Sequence, residues 1–192
     1  MKTEFKKDLL DVSLSDSDIL NKYILCGDPF IFTGNVGLYA NLKSKIAQHF
    51  TIDITKVHMV GSAKLGFSIA RSKLWKSFND ESDIDMVVIS ENVFDRLWEE
   101  MSDLNISLYD RTEQDDQKFN SFLKYFFRGW IRPDLLPLRY HKTQLWFEYF
   151  KGISYKDFGT YKITGAIFRN EFFFRKYHET NINIIRKGVE HA

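Results

Sequence analysis

The chain has 192 residues, enough for one compact domain or for a small core domain with a helical appendage. Hydrophobic residues at 44% and charged residues at 28% are globular values that exclude long disorder, and 18 Phe residues predict helices packed through aromatic rings. The single Cys26 excludes an internal disulfide framework and fits a reducing cytoplasm.

Cys26 itself reads as a small packed residue. No run approaches the ~18 apolar residues of a membrane span. Residues 1–11 are charged and lack the apolar stretch of a secretory signal, so the expectation is a cytoplasmic protein with no membrane partner. Net charge is +1 but unevenly placed: residues 1–60 carry seven basic and seven acidic side chains, residues 61–110 five and ten, and residues 111–192 fifteen and nine. A basic C-terminal part suits a polyanion lying across it, and equally suits a solvated surface.

Residues 1–33 predict one or two short helices, with caps in residues 13–18 and Ile19, Tyr23 and Ile24 at helical spacing before Gly27-Asp28-Pro29 breaks the pattern. Asn35 or Thr33 caps a clearer helix reaching Phe50, in which Leu38, Leu42, Ile46 and Phe50 recur on one face. A first strand follows over residues 56–60. His58 lies in it and reads as a core or edge residue.

The strand ends at Gly61-Ser62. From 63 to 79 the chain reads as a loop carrying Lys64, Arg71, Lys73 and Lys76 and no acid. Residues 82–90, Ser-Asp-Ile-Asp-Met-Val-Val-Ile-Ser, read as a second strand. Side chains alternate along a strand, so Asp83 and Asp85 project together while Ile84 and Met86 point into the core. Paired carboxylates repel unless a cation sits between them, and an all-oxygen site of this kind suits Mg²⁺. Glycine at 61 lets backbone approach a ligand closely, and consecutive N–H groups can cradle an anion.

Beyond the second strand, Ser90 caps a helix striped by Phe94, Leu97, Trp98 and Met101. Residues 105–116 read as a loop with a short edge strand at 105–109. Phe119, Phe122, Leu123, Phe126 and Phe127 mark another helix, stopped by Gly129 and Pro133. A helix over 141–151 ends at Gly152, residues 161–169 alternate as a third strand, and Asn170 caps a last helix reaching Arg186, with Gly188 beyond it. The sum is an α/β (α+β) chain: one domain over 1–192, with N-terminal helices over 1–50, core motif strands over 56–104, and a helical part with a further strand over 114–192.

Gly61-Ser62 closing one strand, with Asp83-Ile84-Asp85 opening the next, resembles the signature of the DNA polymerase β-like nucleotidyltransferase superfamily. The longer phrase over 61–68, the Ser82-Asp83-Ile84-Asp85 after it, and residues 127–134 are similar to a group of small bacterial nucleotidyltransferase-like proteins. The motif covers about a sixth of the chain. The resemblance implies a small mixed sheet with helices packed around it. In the family the Gly-Ser turn holds a nucleoside triphosphate and the two acids bind catalytic Mg²⁺.

On that basis Asp83 and Asp85 are the expected catalytic and metal residues, with Mg²⁺ or alternatively Mn²⁺ as cofactor. Gly61, Ser62, Lys64 and Ser68 are the expected nucleotide contacts. The implied reaction moves an NMP from an NTP to an acceptor hydroxyl on RNA, tRNA or protein; stand-alone family members include tRNA-modifying toxins and phage-defence components. The alternative is a catalytically inert nucleotide-binding or interaction subunit with the same fold. Two departures bear on the choice. Twenty residues separate Ser62 from Asp83, more than is usual for the family. The third strand carries Thr164 and Ala166 where the family places a third carboxylate, leaving Asp110, Asp134 and Asp157 as substitutes. Arg128 and Arg132 could reach phosphate or pair with acids.

Overall fold

The order Ile84-Asp85-Met86-Val87-Val88-Ile89 makes β2 (Ile84–Ile89), a strand apolar on both faces except at its first turn. A strand of this composition must be covered on both sides. A computed structural model describes residues 1–107, 112–136 and 141–190, and in it β2 is an interior strand of a four-stranded mixed sheet. The sheet order is β1 (Val57–Val60), β2, β4 (Ile163–Phe168), β3 (Trp130–Ile131). β1 runs antiparallel to β2, β4 runs parallel to β2, and β3 runs antiparallel to β4. The parallel pair needs a long crossover, which the chain between β2 and β4 supplies.

Period-two alternation divides the sheet between two cores. Ile84, Met86, Val88, Ile163 and Ile167 pack with α3 (Val36–Phe50), α5 (Glu91–Ser107), α6 (Glu113–Phe126) and α7 (His141–Ile153), through residues such as Leu42, Phe94, Phe122 and Phe150. Val87, Ile89 and Phe168 face the other way. They join Phe5 and Leu9 of α1 (Lys2–Leu10), Ile19 and Leu20 of α2 (Asp16–Leu20), Leu65 of α4 (Gly61–Leu65), and Phe174 and Ile182 of α8 (Glu171–Glu190). The result is a mixed α/β fold with helices on both faces. Each fully buried Phe or Ile contributes about 1.5–3 kcal/mol to this closure. Gly165 sits in β4 because the Phe150 ring lies on its backbone; a Cβ there would meet the ring at 2.1 Å.

The expected caps form in part: Asn35 stands at the N-cap of α3 without a side-chain cap hydrogen bond, and the Thr33 hydroxyl donates to the Phe30 carbonyl. Ser15 and Asp18 form a capping box at α2, and the Ser90 hydroxyl accepts from Val93 N–H at 3.3 Å at the start of α5. Four expectations need correcting. Residues 105–107 continue α5 rather than forming an edge strand, and 113–116 already belong to α6, capped by Thr112; residues 108–111 lie outside the described residues. Gly152 and Gly188 end neither α7 nor α8, because with an amphipathic face still to bury a single glycine costs only about 1 kcal/mol. Strand β3 was not anticipated, since two residues carry no periodicity. Cys26 is exposed, not packed.

Ion pairs absorb much of the C-terminal basic surplus. Arg132 binds Asp134 through two nitrogens, at 3.1 and 2.6 Å. Arg169 grips Asp95, and Arg186 pairs with Asp16 at 3.1 Å while capping the carbonyls of Asp11 and Leu14. No helix among the described residues is long and apolar enough to cross a membrane.

Candidate functional site

The first turn of β2 leaves the apolar pattern. Asp85 pairs in register with Val60, the last residue of β1, and with Thr164 on β4. Gly61 comes directly after Val60, so the turn out of β1 falls beside the Asp85 carboxylate. Gly61 adopts φ +70°, and a Cβ there would come within 2.6 Å of Asp85 Oδ2. The Gly-Ser turn and the acidic strand start are thus in contact, and only glycine permits both the dihedral and the approach.

Asp83 lies one residue before β2 and shares the Asp85 face by alternation. Its carboxylate is 3.7 Å from Lys162 Nζ, a half-exposed pair worth little to stability. Asp85 is more enclosed, and Thr164 Oγ1 donates to Asp85 Oδ1 at 2.8 Å. Burial pushes the Asp85 carboxyl above its ordinary value, and the Asp83 charge adds to this. The Thr164 hydrogen bond and the charges of Lys162 and Lys73 act against it. A carboxyl held high in this way is stabilised as the anion by any further cation brought to the pair.

The nucleotide contacts expected from the sequence are not all at this place. Ser62 follows Gly61 in α4, beside the acids. Lys64 does not lie on an exposed loop. It is in α4, 2% exposed, and its ammonium donates to the carbonyls of Cys26 at 2.9 Å and Gly27 at 2.5 Å. Burial lowers the Lys64 ammonium from its ordinary value, against the charges of Asp28 and Cys26. Lys64 therefore ties α4 to the N-terminal segment, its buried ammonium turned to those carbonyls rather than presented to a triphosphate. The physical reason is that α4 continues straight from Gly61, so its fourth residue turns into the N-terminal core.

Ser68 belongs to a hairpin built from the long insert, where it exchanges backbone hydrogen bonds with Trp75 and Lys76 and accepts from Ala70 N–H. Phe67 bridges Ser77, and the rings of Phe67, Trp75 and Phe5 pack edge-on and tilted. The segment read as a loop is thus an ordered, cation-bearing hairpin, with Arg71, Lys73 and Lys76 exposed.

Among the substitutes for a third acid, Asp134 is held by Arg132 and Asp157 pairs with Lys45 at 3.3 Å; Asp110 lies outside the described residues. Among the described residues no group of three or more His, Cys, Asp or Glu side chains converges on a point a metal could occupy. The donors at hand are two carboxylates and the Thr164 hydroxyl beside them. This all-oxygen set could hold one Mg²⁺ whose remaining positions go to water and phosphate oxygens. A surface hollow of about 590 Å³, lined by Phe50, Asn92, Asp95 and Arg96 among others, includes neither carboxylate.

Sequence reasoning missed Lys162, and it named Lys73 as a loop cation while preferring Lys64 as the phosphate contact. Alternation puts Lys162 on the face of Thr164, two residues later, but only the parallel register between β2 and β4 turns that face toward Asp83. Compared with known proteins, the chain matches no family model, no curated protein and no solved structure.

Proposed function

We propose that the chain has the polymerase β-like nucleotidyltransferase fold and transfers an NMP from an NTP to an acceptor hydroxyl, with Asp83 and Asp85 holding Mg²⁺. The observation that carries this reading is the contact between Gly61 and the Asp85 carboxylate. It places a close-approach turn and a carboxylate pair on adjacent strands, in the arrangement that the family resemblance predicts. The mixed sheet with helices around it supports it too, the strand bearing the acids running antiparallel to the Gly-Ser strand and parallel to the strand bearing Thr164.

In the reaction, the acceptor oxygen attacks the α-phosphorus, a new P–O bond forms, and the bond to the β-phosphate oxygen breaks to release pyrophosphate. The attacking hydroxyl loses its proton to water. Bound metal would supply charge neutralisation of the phosphate oxygens. The chain's own residues do the positioning. Thr164 fixes the Asp85 carboxylate, Gly61 leaves room against it, and Ser62 offers its hydroxyl beside the turn. We assign the phosphate-contact role that the sequence gave to Lys64 instead to Lys162, 3.7 Å from Asp83, with Lys73 of the exposed hairpin as a second cation. Displacement of this kind depends on orientation and electrostatics more than on covalent chemistry, so a short set of residues suffices.

A second reading, an inert subunit that binds NTP and Mg²⁺ without transfer, is favoured by one observation: a hydroxyl, Thr164, stands where the family places a third carboxylate. Incubation with each α-phosphate-labelled NTP, Mg²⁺ or Mn²⁺, and bulk RNA or protein separates the two. Label on an acceptor with the wild type and none with Asp85→Asn supports the transferase. Absence of label with all four NTPs supports the inert reading.

A further inference from the structure

The insert between Gly61 and Asp83 is longer than its motif requires, and it is folded. Its hairpin is fixed at one end by the Phe67–Ser77 bridge and at its centre by Trp75, whose ring packs on Phe5 and Phe67. This fixes the place of its cations. Arg71 and Lys73 form an exposed 3₁₀ turn with no ion-pair partner among the described residues, and Lys76 follows at the hairpin's return. Helix α1 brings two more. Lys2 Nζ donates to the Trp75 carbonyl at 2.5 Å, and Lys6 Nζ lies 4.6 Å from the centre of the Trp75 ring.

Lys2 and Lys6 of α1 therefore meet the cation-bearing hairpin at one tryptophan, which brings five cations from two segments far apart in sequence onto neighbouring surface. Lys2 and Lys6 are one helical turn apart, about 6 Å along α1. The hairpin's return leads directly into the acidic strand start: Lys76 lies 4.0 Å from Glu81, two residues before Asp83, so this end of the ledge is beside the carboxylates. Glu81 is the acid paired with the ledge among the described residues, through Lys76; Glu4 on α1 is drawn to Lys22 at 2.9 Å. Residues 63–79 contain no acid. Like charges held together on an ordered surface repel, and a polyanion relieves that repulsion.

We infer that this ledge of Lys2, Lys6, Arg71, Lys73 and Lys76 binds the phosphate backbone of a single-stranded nucleic acid and leads it to the Asp83–Asp85 site. The ledge carries more cations than one triphosphate, partly neutralised by a divalent ion, calls for, and it extends from the carboxylates onto α1. That favours a chain of phosphates over a single nucleotide. Only the word acceptor rests on the nucleotidyl-transfer reading; binding of the strand does not.

The test is fluorescence anisotropy of a short labelled single-stranded RNA across a salt series, with the wild type, the triple variant Arg71→Ala/Lys73→Ala/Lys76→Ala and Asp85→Asn. For single strands log K falls with log[salt] by about 0.7 per phosphate neutralised, so the triple variant loses about 2 from that slope and binds about tenfold or more weakly at low salt. Its melting temperature stays at the wild-type value, because all three side chains are exposed. A triple variant that binds RNA like the wild type, or a wild type that does not bind RNA, overturns the inference. So does a triple variant that keeps RNA binding but loses stabilisation by Mg²⁺ and NTP, which would assign the cations to the triphosphate alone. Asp85→Asn keeps its RNA binding; if it also keeps the Mg²⁺- and NTP-dependent stabilisation, the proposed function fails while the ledge stands.

Discussion

Replacing Gly61 with alanine tests the contact on which the site is built. Gly61 has φ +70°, and a left-handed backbone costs a residue with a Cβ about 1–2 kcal/mol. The added Cβ would also stand 2.6 Å from Asp85 Oδ2, closer than carbon and oxygen approach without bonding, so the carboxylate must move by several tenths of an ångström. Asp85 Oδ1 is held by Thr164 at 2.8 Å. A hydrogen bond to a charged group contributes about 1.5–3 kcal/mol, and the displacement forfeits a good part of it. Together these give a loss of about 3 kcal/mol, or about 6–12 °C in Tm for a chain of this size. Differential scanning fluorimetry reads the shift, and a double-mutant cycle with Thr164→Val separates the two causes. With the Thr164 bond already gone, Gly61→Ala should cost less than it does alone, because both changes act through Asp85. An unchanged Tm in Gly61→Ala, or strict additivity with Thr164→Val, would refute the close approach.

Lys64→Met keeps the buried stem and removes the ammonium that binds the Cys26 and Gly27 carbonyls. Relief of its desolvation offsets part of the two lost bonds, so stability falls by about 1–3 kcal/mol in urea titration while stabilisation by Mg²⁺ and NTP is retained. Unaltered stability with lost nucleotide binding would return Lys64 to the phosphate-binding role. His178 is buried among Phe168, Phe174 and Tyr177, both its ring nitrogens lack a hydrogen-bond partner among the described residues, and burial, helped by the nearby His58, holds its pKa down at about 3. The unfolded chain takes up that proton below about pH 6.5, so this contribution is complete above pH 6.5 and is lost as pH falls toward 3. Between pH 6.5 and 5 the wild type loses about 2 kcal/mol through this group, and His178→Phe removes that part of the slope. Equal pH slopes in the two proteins would contradict the assignment.

The strands that carry the site were legible because their signals are local. Alternation over 82–90 places both acids on one face, and a glycine at a strand end marks a turn. Lys64 was misread because the segment after Gly61-Ser62 was read as a loop, whereas it begins with the helix α4. Its fate is decided by where α4 points, and that depends on packing against residues 26 and 27, distant in sequence. The hairpin over 67–77 was misread for a related reason: its order comes from Phe5, contributed by α1, and no property of the insert itself announces that partner. Lys162 needed the register between β2 and β4, a relation between strands almost eighty residues apart. The third-strand threonine was visible in the sequence, but its hydrogen bond to Asp85 was not.

The central claim is that Asp83 and Asp85 hold a divalent ion together with a nucleoside triphosphate, and thermal unfolding with and without Mg²⁺ and each NTP tests it most directly. A ligand that binds only the folded state stabilises it by about 2.7 kcal/mol at a hundredfold excess over Kd, or about 5–11 °C here. The account predicts such a shift for the wild type only when Mg²⁺ and an NTP are both present. It also predicts loss of the shift in Asp85→Asn, whose own Tm is no lower than that of the wild type because a carboxyl destabilised by burial has become neutral. A shift of equal size in Asp83→Asn/Asp85→Asn, or none in the wild type with any NTP, would contradict it.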